Sequence, residues 1–234
     1  MTAVTEFVFF RVKPSVKPEE GEQNREGEQL LDLFRETILQ SGHLGSAWGR
    51  TLEDENVLVW VIDWADAYCT TSLSRLEPFV DNNKDDPATL TNIFSTLSPA
   101  ISETDTLTTN PVTELVTLAV PSDLSPEQHR QFNIDQTAFQ AAGLTNPSTP
   151  EDSRALTWAR GQVERPSMFD HPGSGSGKVV VHLHAVGWRG KEHHAAFRET
   201  QAFADTIVPL RKVALSPAVK GLEMKHVKFQ KIGF

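Results

Sequence analysis

Two histidines one residue apart, His182 and His184, stand in the run VVVHLHAVGW (179–188). Imidazole titrates near neutral pH, and two of them ~7 Å apart at strand spacing can exchange protons with one small bound molecule. Other chemistry-bearing residues fall into a pattern around them. Trp158 and Arg160 form a Trp-x-Arg, matched earlier by Trp48 and Arg50, and His226 lies in the last apolar run. A guanidinium at 160 would hold an enolate or carboxylate, and the indoles of Trp158 and Trp60 would stack on an aromatic ring. His182 and His184 are therefore the candidate acid–base pair, with Trp158, Arg160, His226 and Trp60 as substrate-binding candidates. The same three histidines are a conceivable metal donor set. No Asp or Glu is fixed beside them by spacing, so no metal is assigned. The plain alternative is that each imidazole is a satisfied structural residue.

The loop before this run, GSGSGK (173–178), has the look of a phosphate loop and fails as one. The first glycine of G-x-x-x-x-G-K-[ST] would fall on Pro172, Lys178 is followed by Val179, and the segment enters a β-branched run rather than a helix. His193 and His194 open a polar helical stretch and are expected to be solvent-exposed. Cys69 sits among polar residues, where nothing marks a nucleophile.

The elements that must carry these residues repeat. VTEFV (4–8) and VTELV (112–116) stand 108 residues apart, each opening an apolar run bounded by proline. Each is followed by a helical stretch. LLDLFRETIL (30–39) places Leu30, Leu31, Phe34 and Ile38 on one face, and SPEQ (125–128) supplies an N-cap, a proline at N1 and a capping box. Strand pairs follow: SAWGRTLE (46–53) with VLVWVIDW (57–64), then LTWARGQVE (156–164) with VVVHLHAVGW. A second helix is predicted over 66–80 and over 191–207, and a last strand over 91–98 and 221–232. The expected fold is α+β: two ferredoxin-like β-α-β-β-α-β repeats, 1–98 and 112–234, joined by a polar linker over 99–111.

A four-stranded sheet with helices on one face leaves an apolar wall on the other. Two such walls facing each other would close a barrel. In this tandem pattern the sequence resembles the dimeric α+β barrel superfamily, in its tandem-repeat form, which includes antibiotic-biosynthesis-monooxygenase-like proteins, stress-responsive A/B barrel proteins, polyketide cyclases and decarboxylases. The resemblance implies that one chain supplies what two subunits supply elsewhere, as a monomer or a homodimer. Some members bind haem through a histidine, and no matching motif is seen; no cofactor is assigned. Strand alternation assigns Val179, Val181, Leu183 and Ala185 to the helix side, and His182 and His184, with Trp60 from the other repeat, to the barrel interior.

Composition narrows the function. The 234 residues carry a net charge of −9, which disfavours a nucleic-acid partner, and one cysteine, which leaves no disulfide and suits a reducing, cytoplasmic setting. No apolar run is long enough to span a bilayer. The expected function is cofactor-independent acid–base chemistry on a small aromatic or polyketide-like molecule in a barrel cavity: cyclisation, isomerisation, dehydration or decarboxylation. The alternatives are cofactor-free mono-oxygenation and a non-catalytic small-ligand or stress-related barrel protein.

Overall fold

A computed structural model describes residues 3–81, 89–104 and 106–232. The chain runs β1 (Val4–Arg11), α1 (Arg25–Ile38), β2 (His43–Thr51), β3 (Val57–Trp64), β4 (Leu90–Ser95), two short helices α2 (Ile101–Thr104) and α3 (Thr106–Thr109), then β5 (Val112–Pro121) and α4 (Pro126–Leu144). It ends with β6 (Thr157–Arg165), β7 (Phe169–Asp170), β8 (Lys178–Trp188), α5 (Lys191–Arg198), α6 (Gln201–Val213) and β9 (Lys225–Lys231).

Eight strands close into an antiparallel barrel in the order β5-β9-β2-β3-β1-β4-β6-β8, with β8 returning to β5 and the short β7 paired with the first residues of β8. The N-terminal strands therefore lie in the order β4-β1-β3-β2 and the C-terminal ones in the order β9-β5-β8-β6. The two sets meet at β2–β9 and at β4–β6. Both seams need a close backbone approach. A Cβ on Gly49 would run into the Lys228 carbonyl, and one on Gly161 into the Thr96 carbonyl.

Alternation along the strands sorts side chains to the two faces. The inward face is one continuous apolar core with contributions from both sets of strands: Phe7, Val59 and Ile93 meet Leu115, Val181 and Leu183. These side chains pack against one another along the barrel, and a space of about 470 Å³ remains at one end beside Ala47, Val61, Ile101 and Leu107. Ile101 and Leu107, from the threonine-rich segment between the two sets, are buried in the same core. Helix α1 covers the outer face of the N-terminal strands; α4, α5 and α6 cover that of the C-terminal ones.

This reverses the face assignment made from sequence. The face Val179/Val181/Leu183/Ala185 points into the barrel, whereas His182, His184 and Trp60 point outward beneath the helices. Period two gives the two sets correctly but not which set faces which layer. Both faces of these strands are buried, so hydrophobicity does not discriminate.

Two helices also differ from expectation. Over 66–80 there is only a 3-10 turn, Leu73–Leu76. The preceding CTT stays extended because the Thr71 N–H and the Thr70 hydroxyl both donate to the buried Glu6 carboxylate. The stretch 191–207 is broken at Thr200, whose hydroxyl caps a new helix by accepting from the Phe203 N–H, and α6 then runs past Pro209 to Val213. Among the described residues no helix is long and apolar enough to cross a membrane.

Candidate active site

Between the outer face of β5, β6 and β8 and the helices α4–α6 lies a cavity of about 170 Å³. Its walls are mainly aromatic: Phe139 from α4, Trp158 from β6, Trp188 from β8, Phe197 from α5 and Phe203 from α6. Phe139 meets Trp158 edge to face at 5.3 Å, and Phe203 meets Phe197 at 5.3 Å. An apolar cavity of about 150 Å³ accepts a benzene-sized molecule. This one is therefore matched to a single ring, and it is far smaller than a porphyrin.

The floor is built by β5 and β8. Val116 stands opposite His184, and Glu114 opposite Val186 and, on its other side, His226. Glu114 is the only acidic side chain lining the cavity among the described residues, and it is 5% exposed. The Trp188 indole N–H donates to its Oε2 at 3.0 Å. Its Oε1 lies 3.6 Å from His194 Nε2, an ion-pair separation rather than a hydrogen bond. Burial pushes the Glu114 carboxyl up to about 7, against the opposing pull of the Trp188 hydrogen bond and the Arg198 charge. Arg198 and Arg211 also line the cavity.

His194 is a buried residue stacked on Trp188 at 5.1 Å, not the exposed one expected at the start of a polar helix. Loss of solvent, then the neighbouring His226, Arg198 and Lys191, hold it down to about 4, so it is neutral at pH 7. Its Nδ1 lies 2.8 Å from His226 Nε2. On the other side of its ring, His226 Nδ1 lies 2.7 Å from Glu53 Oε1, and the Glu53 carboxylate also accepts from the His226 backbone N–H and from Lys191. These hydrogen bonds outweigh partial burial and bring Glu53 down to about 2.

Glu114, His194 and His226 offer donor atoms within 4.8 Å of one another, a spacing open to a metal ion. The ring geometry argues otherwise. His194 turns one nitrogen to Glu114 and the other to His226, and Lys191 and Arg198 already bring positive charge to the group. A line of single contacts suits proton movement better than a shared cation.

The residues singled out from sequence divide. Trp158, His184 and His226 belong to this region. His184 lines the cavity but has both nitrogens engaged. Nδ1 accepts from the Trp158 indole at 3.0 Å, so Nε2 carries the proton and donates to Gln136 Oε1 at 3.0 Å. Complete burial holds it down to about 3, a neutral imidazole that positions Trp158. His182 is held down to about 4 by burial; it packs edge-on against Phe132 at 5.1 Å, and its Nε2 has no partner among the described residues. Arg160 bonds the Thr137 hydroxyl of α4 at 2.8 Å. Trp60 lies on the N-terminal half, its ring 4.4 Å from Phe34. The two Trp-x-Arg pairs are not equivalent in the ladder: Trp48 faces Trp60, whereas Arg160, not Trp158, faces His184.

The sequence reading missed Glu114, His194 and Glu53. A signal existed for the first: a glutamate in the middle of each apolar VTE[FL]V run, alternating inside a buried strand, requires a buried partner. Glu53 and His226 are 173 residues apart, and only the closed barrel brings them together.

Comparison of folds agrees with this architecture. A proposed monooxygenase from Fusobacterium nucleatum superposes over 99% of this chain and 93% of its own, with a TM-score of 0.51 at 11% identity. A proposed monooxygenase from Lactobacillus acidophilus covers 100% and 95% with a TM-score of 0.52 at 8% identity. A proposed chlorite dismutase covers 100% and 97% with a TM-score of 0.56 at 8% identity. At such identities the likeness shows the fold alone, an α+β barrel. No protein-family model matches the sequence, and no curated protein matches it.

Proposed function

We propose that this protein is an enzyme that admits a small, largely apolar or single-ring aromatic molecule to the cavity of its C-terminal half and moves a proton at the molecule's polar end. The observation that carries this reading is Glu114, a carboxyl group in the wall of an aromatic cavity with one oxygen fixed by Trp188 and the other facing His194. A carboxyl group poised near 7 both gives and takes a proton at neutral pH. Arg198 and Arg211 would meet negative charge developing on a substrate oxygen. Proton transfer to or from an enol, a phenol or a carbon beside a carbonyl is the step shared by isomerisation, dehydration, cyclisation and decarboxylation. Trp158, held by His184, forms the substrate wall, and His226 acts through His194. His182, Arg160 and Trp60 are left with structural roles.

We infer that 1–98 and 112–234 are two halves of one plan, which the matching strand orders support, with the 3-10 turn Leu73–Leu76 in the first where α5 and α6 stand in the second. A monomer then suffices, which sedimentation at low micromolar concentration tests.

Cofactor-free mono-oxygenation of a phenol or enol is the second reading. It is favoured by the fold neighbours proposed as monooxygenases and begins with the same deprotonation. Proton NMR of acetophenone in D₂O reads the common step as exchange of its methyl protons, and an oxygen electrode with phenol reads the second. Catalysed exchange or oxygen uptake that disappears in Glu114→Gln supports the proposal. Equal rates in both proteins, or neither activity in the native one, would remove it.

A further inference from the structure

We infer that Glu114 is the cavity end of a four-group proton chain, Glu114–His194–His226–Glu53, which crosses the barrel seam to a carboxylate of the N-terminal half. The inference rests on the proposed function only in taking Glu114 as the group that meets substrate.

The order of protons follows from the contacts. Glu53 is held as an anion by Lys191 and the His226 backbone N–H, so the ring nitrogen 2.7 Å from it, His226 Nδ1, donates to it. A neutral His226 then has a lone pair on Nε2. The 2.8 Å contact from there to His194 Nδ1 requires the proton on His194. His194 Nε2 is left with a lone pair, and it faces Glu114 Oε1 across 3.6 Å. The carboxyl proton completes the line.

A second arrangement satisfies the same contacts. The Glu114 O–H breaks as an N–H forms at His194 Nε2. The N–H at His194 Nδ1 breaks as one forms at His226 Nε2. The number of protons is unchanged; Glu114 becomes a carboxylate facing the cavity, and the positive charge rests on a His226 imidazolium against Glu53. The approach of Glu114 to His194 from 3.6 Å to hydrogen-bond distance is the only movement needed. Charged groups on the neighbouring elements bear on this exchange, among them Lys225 of β9, which interacts with Glu53, and Arg211 of α6 in the cavity wall. Lys191, at the start of α5, keeps Glu53 ionised; Arg198, at the end of α5, favours the Glu114 carboxylate; and Trp188 holds the second Glu114 oxygen and stacks on His194. Glu53 is one-third exposed and so connects the chain to water. Glu53, His194 and His226 are in this sense positioning residues for Glu114, and an active cavity in one half depends on a side chain of the other.

The test uses the full chain labelled with ¹⁵N-histidine, its ring nitrogens followed by long-range proton–nitrogen correlation across neutral pH. In the native protein His226 Nε2 should show partial protonation, from exchange between the two arrangements. Glu114→Gln and, separately, Glu53→Gln should remove it, leaving His226 with the proton on Nδ1 alone. A His226 Nε2 signal unmoved by Glu114→Gln, or a His194 protonated on both nitrogens, overturns the chain. The Glu114→Gln arm stands by itself if Glu53→Gln fails to fold. No substrate enters this measurement. An intact proton chain without acetophenone exchange counts against the proposed function alone, and Glu114-dependent exchange with a silent His226 counts against the chain alone.

Discussion

The outer faces of the two halves carry the same outline filled in two ways. On the N-terminal strands, Glu6, Val8, Leu58, Trp60 and Trp64 lie at the ladder positions held in the C-terminal strands by Glu114, Val116, His182, His184 and Trp188. Each glutamate accepts from the tryptophan at the end of the paired strand, at 2.7 Å for Trp64 and 3.0 Å for Trp188. Beyond that pair the halves diverge. Glu6 is also held by Thr70, Thr71 and Asn92, and Trp60 packs on Phe34 with no exposure at all. Glu114 has an oxygen to spare, and the histidine at the place of Trp60 is smaller than an indole. That histidine, His184, lines the cavity. The comparison teaches that a buried carboxylate becomes chemistry only where packing beside it is left incomplete and a second titratable group reaches it.

The comparison breaks most sharply at its two glutamates. Glu114→Gln should lower turnover by about 10²–10⁴-fold, as expected when a general acid–base group is removed. Glu6→Gln should leave turnover unaltered, because the partners of Glu6 among the described residues, Trp64, Thr70, Thr71 and Asn92, do not line the cavity. Rate measurements on the two variants, side by side, sink the distinction if both lose activity alike. Trp60→Ala removes the packing of the filled half and should cost about 3–5 kcal/mol in chemical denaturation. A loss below about 1 kcal/mol would mean that the indole is not part of a tight core.

Making the open half resemble the filled one is the complementary experiment. Val116→Phe puts a ring into the cavity, at a cost of no more than about 1–3 kcal/mol for overpacking. It should abolish binding of phenol, followed by calorimetry, while circular dichroism stays native. Retained binding would place the ligand elsewhere.

The gentlest test is the pH dependence of stability. His182, His184 and His194 are held down by burial, to about 4, 3 and 4, so below pH 6.5 the unfolded chain binds protons that the folded chain refuses. Their contribution is present above 6.5 and is lost as pH falls towards 4. Glu114, pushed up to about 7, acts in the opposite sense: its contribution is present below 4.5 and is lost as pH rises through 7. Denaturation at several pH values should therefore show stability rising from pH 4 to 6.5. Glu114→Gln should make that rise steeper, and an unchanged slope contradicts the burial argument.

Much of the fold was legible in the chain. The repeated VTE[FL]V, the capping box at Ser125 and the run VLVWVIDW each fall where the structure has β1 and β5, the start of α4, and β3. Pattern alone could not say which face of a doubly buried strand looks inward, and the histidines were placed on the wrong side for that reason. The helix expected over 66–80 is absent because a long-range demand, the hydrogen bonds of Glu6, overrides local preference. The site was legible only in part. Trp158, His184 and His226 could be picked out as residue types. Glu114 and His194 looked like an ordinary strand residue and a surface residue until the packing of α5 on β5 and β9 was known. Glu53 belongs to the site solely through barrel closure.

The claim on which all of this depends is that the space beneath α4–α6, and not the barrel interior, receives the ligand. A crystal structure determined after soaking in phenol tests it directly. The ring should lie in the cavity lined by Val116, Phe139 and Trp158 with its oxygen towards Glu114, and the same site should be empty of ligand in Val116→Phe. Phenol found inside the barrel, or bound equally in Val116→Phe, would contradict the account.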